Sequence, residues 1–118
     1  MSSDPDDALA EQLKALRHEY LTDSTSRVEE LRRLYGRLAA GERTVLADLR
    51  QALHRLAGSG GSYGFPVVST RSRDGEHLAM KLAAGDAALD PAALASLGAC
   101  VEDVARTFAD ALAAEKDA

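Results

Sequence analysis

Tryptophan is absent from this 118-residue chain, phenylalanine and tyrosine together supply 4% of it, and cysteine occurs once. So few aromatics disfavour a β-sandwich or barrel, whose strands draw on aromatic and β-branched residues. A single thiol, Cys100, excludes an internal disulfide and offers no thiol cluster for a metal, so it is expected to be a small core residue. No apolar run approaches the roughly 20 residues that a membrane-spanning helix requires. The first residues, Met1 to Asp7, are acidic where a secretory signal would be basic and then apolar. A net charge of −5 makes nucleic acid a poor partner. What remains is a soluble, cytoplasmic domain rich in alanine, leucine, glutamate and arginine, long enough to bury a core of its own.

The periodicity is helical. Residues 1–6 read as a disordered leader and residues 7–118 as one domain. Leu9, Leu13, Leu16, Tyr20 and Leu21 recur at helical spacing, and Thr22-Asp23-Ser24 reads as a cap or break that ends a short first helix. Val28, Leu31, Leu34, Tyr35 and Leu38 stripe a second helix, which Ala40-Gly41 closes. A third runs from about Thr44 to Tyr63 and stops at Gly64. A fourth starts at Pro66 and ends at Gly85-Asp86. Its middle, Arg71 to Gly75, has no apolar stripe and is expected to be kinked or loosely packed. Asp90-Pro91 opens the last helix, with Leu94, Leu97, Val101, Val104, Phe108 and Leu112 facing inward. Short connections favour an all-α, up-down-up-down antiparallel four-helix bundle with an additional short N-terminal helix.

On the third helix, at about 100° per residue, Leu46, Leu49, Leu53 and Leu56 form the core face. His54 lies well away from them. Gly58 and Gly61 fall within about 40° of it, and Arg50, Gln51 and Ala57 within about 60°. The histidine therefore faces solvent beside ground stripped of side chains. A glycine inside a helix costs about 1 kcal/mol relative to alanine, so Gly58, Gly60 and Gly61 require a compensating reason, and close approach by a phosphate or another protein supplies one. The run is no nucleotide loop, because it lacks a Gly-Lys-Ser/Thr ending and the Gly-x-Gly-x-x-Gly spacing, and it follows a helix instead of a strand. His54 and His77 have no ligand-spaced Cys or His, so no metal site is expected. His18 and His77 read as ordinary surface or core residues.

His54-Arg55-Leu56-Ala57-Gly58-Ser59, followed by Gly64-Phe65-Pro66, resembles the phosphoacceptor signature of histidine phosphotransfer (HPt) domains. The resemblance implies a helical bundle of about this length that moves a phosphoryl group reversibly between His54 and aspartates on receiver domains of two-component systems. It implies a response-regulator receiver or hybrid histidine kinase as partner, a divalent metal on that receiver, and no cofactor on this chain, which needs only to be a monomer. One residue departs from the pattern: Ala57 stands where the family usually has lysine, which bears on transfer rate and on the stability of the phosphohistidine.

The turn at Gly64-Phe65-Pro66 adds a further residue. His54 lies about ten positions before it and Glu76 about ten after it, so a rise of about 1.5 Å per residue brings the two to one height in an antiparallel hairpin. A carboxylate there accepts a hydrogen bond from Nδ1 and leaves the Nε2 lone pair free to attack phosphorus. Arg50 and Arg73 are candidate phosphate partners in place of the missing lysine. With Gln51, Ala57, Gly58 and Gly61 they form the expected phosphate and receiver surface. The competing reading is a non-enzymatic docking module, an HPt-like bundle that has lost phosphotransfer. A histidine kinase dimerisation domain ranks lower, because Arg55 stands where an acidic residue would follow the histidine.

Overall fold

The computed structural model describes residues 4–85 and 89–117. The expected leader therefore lies partly outside the described residues, as does Asp86, but Pro5 and Asp6 already belong to the first helix. Four α-helices follow in order: α1 (Pro5–Ala39), α2 (Leu46–Ser62), α3 (Pro66–Ala84) and α4 (Pro91–Lys116), with a 3-10 turn at Arg43–Val45 ahead of α2. They close a ring in which α2 packs on α3, α3 on α4, and α1 on both α4 and α2. This is the antiparallel up-down-up-down bundle.

The starts and stops follow local chemistry. Asp4 and Asp90 each cap a helix by accepting a backbone N–H two residues on, at 3.0 Å, and a proline occupies the first helical position in both cases. At the other end of α2, Gly64 adopts φ +85°, which lets Phe65 N–H reach the Gly60 carbonyl at 2.7 Å and Gly64 N–H reach that of Gly61 at 3.3 Å. That paired closure ties off the last free carbonyls and turns the chain sharply into α3.

Two expectations are corrected. The break at Thr22-Asp23-Ser24 does not occur, and α1 runs unbroken for 35 residues. The Thr22 and Ser24 hydroxyls, and that of Ser26 beyond them, instead bond to carbonyls of the preceding turn: Thr22 to His18 at 2.9 Å, Ser24 to Leu21 at 2.6 Å and Ser26 to Asp23 at 3.0 Å. Buried Tyr20, Leu21, Ser24 and Val28 then carry the packing face through the segment. There is accordingly no separate short N-terminal helix.

The second correction concerns α3, which is one helix with a tightly packed middle. Its buried face reads Val68, Ser72, Gly75, Ala79, Leu82, small residues at helical spacing where larger ones were sought. A Cβ on Gly75 would stand 3.1 Å from Leu53 Cδ1 and 3.4 Å from Cys100 Cβ. The missing apolar stripe is thus what allows α3 to settle between α2 and α4. Leu31, Leu34, Leu38, Leu49, Leu53, Leu97, Val104 and Phe108 fill the remaining core. Cys100 is buried, and burial pushes its thiol pKa up.

Candidate functional site

Leu53 and Gly75 meet in the α2–α3 contact, and their chain neighbours are His54 and Glu76. The contact of small against large therefore fixes the register of the site. Nδ1 of His54 lies 2.9 Å from Glu76 Oε1. A carboxylate only accepts, so in the neutral imidazole the proton sits on Nδ1 and the lone pair on Nε2. The two side chains differ in exposure: that of His54 is 73% accessible, that of Glu76 13%. The carboxylate is held in the hairpin while the ring it orients stands in solvent.

Arg50, one turn before His54, brings its Nε to 4.0 Å from the same Glu76 oxygen. Ala47, Arg50, Gln51, His54 and Glu76 line a shallow groove of about 310 Å³. A larger cleft of about 820 Å³ lies between α1 and α4, among Lys14, His18, Leu112 and Glu115. His18 pairs there with Glu115. None of these residues lines the groove beside His54.

The glycines divide by role. Gly58 and Gly61 are exposed. A Cβ would meet nothing within 4 Å at Gly58 and only Ser69 at 3.7 Å at Gly61. Gly60 is different, because a Cβ there would stand 2.9 Å from both Ser69 N and Val68 Cγ1. It is a close approach within the chain and leaves no ground for a partner. Ala57, expected on the phosphate surface, is 7% exposed, and the Ser69 hydroxyl donates to its carbonyl at 2.5 Å. Arg73 is exposed, does not line the groove with His54, and makes no ion pair among the described residues.

Sequence reasoning missed the contacts that anchor the end of the motif. Tyr20 of α1 and Ser59 share a hydrogen bond of 2.8 Å. The Tyr20 ring stacks on Tyr63 at 4.4 Å between centroids and lies 5.8 Å from Phe65 and 5.7 Å from Phe108. Arg17 sits over the Phe65 ring at 4.7 Å. Burial raises the Tyr20 pKa against the opposing effect of the Ser59 hydrogen bond. The signal was Tyr20 at the end of the first leucine stripe, which named a core residue but not its partner.

Fold and site together define a class: an all-helical bundle that presents one oriented imidazole, backed by a carboxylate, on a face cleared of side chains. Compared with known families, residues 7–107 match the Hpt domain, and the chain belongs to that family. Its role is histidine phosphotransfer in two-component signalling. No curated protein and no solved structure matches the chain. None of the described helices is long and apolar enough to cross a membrane.

Proposed function

We propose that His54 accepts a phosphoryl group from an aspartyl phosphate on a receiver domain and donates it to a second one. The observation that carries this reading is the Nδ1 to Glu76 hydrogen bond, which in the neutral imidazole selects the tautomer with its lone pair on Nε2 of an exposed ring. In the forward step the Nε2 lone pair forms a bond to phosphorus, the acyl phosphate P–O bond breaks, and the aspartate carboxylate leaves with the bonding pair. The Nδ1 proton stays where it is, so the positive charge gained by the ring is set against Glu76. The reverse step retraces the same path. In-line transfer requires donor and acceptor atoms close together, and the exposed surface at Gly58 and Gly61 admits the rim of a receiver pocket. Charge neutralisation at phosphorus falls mostly to a divalent metal on the receiver, and this chain acts as a carrier that needs no cofactor of its own. Partners in this reading are a response-regulator receiver and a hybrid histidine kinase, each met by a monomer.

The test is transfer of label from a panel of phosphorylated receivers to the wild-type chain and to His54→Gln. Acid-labile, alkali-stable label on the wild type alone is the expected result. Receiver binding without label on any pairing would overturn the carrier role in favour of a docking module.

A further inference from the structure

This inference rests on the phosphotransfer reading and concerns how the phosphoryl charge is met. Around His54 the two directions along α2 are unlike. Toward the C-terminus, Ala57 is buried and Gly58 has no side chain, so α2 places no cation there. Toward the N-terminus, Arg50 lies on the same face one turn away. Its side chain is 53% exposed, and its only polar partner among the described residues is Glu76, at 4.0 Å from Nε. Arg50, Gln51 and His54 share the walls of the groove of about 310 Å³, a space at the small end of ligand sites and suited to a phosphoryl group and its shell.

The geometry points to Arg50 as the cation that receives the phosphoryl group on this chain, with Gln51 beside it, so that the phosphoryl oxygens rest on the N-terminal side of His54 instead of over residue 57. A guanidinium spreads its donors in a planar fork that holds two oxygens at once. Glu76 then has two tasks: its oxygen accepts the hydrogen bond from Nδ1–H, and its charge keeps Arg50 beside the ring. Arg73, the rival on α3, does not line this groove.

The experiment uses phosphoramidate on the full chain, followed by ³¹P NMR. Nε2 forms the bond to phosphorus, the P–N bond breaks, and the protonated amine departs as ammonia with the bonding pair. Rates are compared for the wild type, Arg50→Gln, Arg50→Lys, Arg73→Gln and the neighbouring control Arg55→Gln, each at low and high salt. The expected result is a loss of about tenfold in Arg50→Gln, partial recovery in Arg50→Lys, no loss in Arg55→Gln, and a weaker salt dependence once Arg50 is gone. Equal rates in the wild type and Arg50→Gln would overturn the assignment, as would a loss confined to Arg73→Gln, and both leave the carrier role standing. Label from phosphoramidate but from no receiver would contradict the relay while the Arg50 comparison stays readable. No label from either source would remove both.

Discussion

At the scale of single residues, the site is an imidazole whose tautomer is set by one buried-side carboxylate. Glu76→Ala removes the acceptor for Nδ1–H and frees the ring to rotate and exchange tautomers, whereas Glu76→Gln keeps a carbonyl oxygen at the same place. The expected outcome is a loss of transfer rate of about 10- to 100-fold for the alanine variant, the range seen when an orienting partner of a functional histidine is removed. The glutamine variant should retain most of the rate, with unchanged thermal stability in both. Transfer kinetics alongside ¹⁵N shifts of the His54 ring check this, because a merely structural Glu76 would leave the tautomer unmoved. His54 was legible in the sequence from its place opposite the leucine face, and Glu76 from counting equal distances about the Gly64 turn. Burial of Ala57 was not legible, because it depends on Ser69 arriving from the next helix.

Among the elements, the α2–α3 hairpin does the positioning, and its glycines give opposite answers to the same substitution. Gly60→Ala drives a Cβ into Val68 and the Ser69 backbone, so it is expected to destabilise by about 1–3 kcal/mol. Gly58→Ala meets open space and is expected to stabilise by up to about 1 kcal/mol through helix propensity. Chemical denaturation of the two variants reads the contrast, and equal effects would mean that the interhelical approach at Gly60 is not as close as described. Four helices and most of their ends were readable from apolar spacing, caps and glycines. Two elements were misread for a common reason. The residues at 22–24 and at 71–75 carry no apolar signal, and whether they break a helix or pack one depends on neighbours distant in sequence: Tyr63 and Phe65 for the Tyr20 turn, and Leu53 and Cys100 for Gly75.

Across the whole molecule, the described residues extend 62 × 24 × 19 Å, elongated because α1 outruns the bundle. Buried residues of α1 begin at Tyr20, and Leu9, Leu13 and Leu16 are about half exposed. The arm before Arg17 therefore contributes little to the core. Removing residues 1–16 is expected to leave the midpoint of thermal unfolding within a few degrees and phosphotransfer at the wild-type rate, measured by a circular dichroism melt and a transfer assay. Collapse of the bundle on truncation would show that the arm is part of the cooperative unit. The active face lies on the α2–α3 side, so its chemistry is independent of the arm.

The central claim is that His54 works through Nε2 while Glu76 holds its Nδ1 proton. Long-range ¹⁵N and ³¹P NMR of the phosphorylated, ¹⁵N-labelled chain addresses it directly, because coupling to phosphorus identifies the modified nitrogen. Phosphorus bonded to Nε2 of His54, with Nδ1 still protonated, is the predicted result. Phosphorus on Nδ1, or on a residue other than His54, would contradict it.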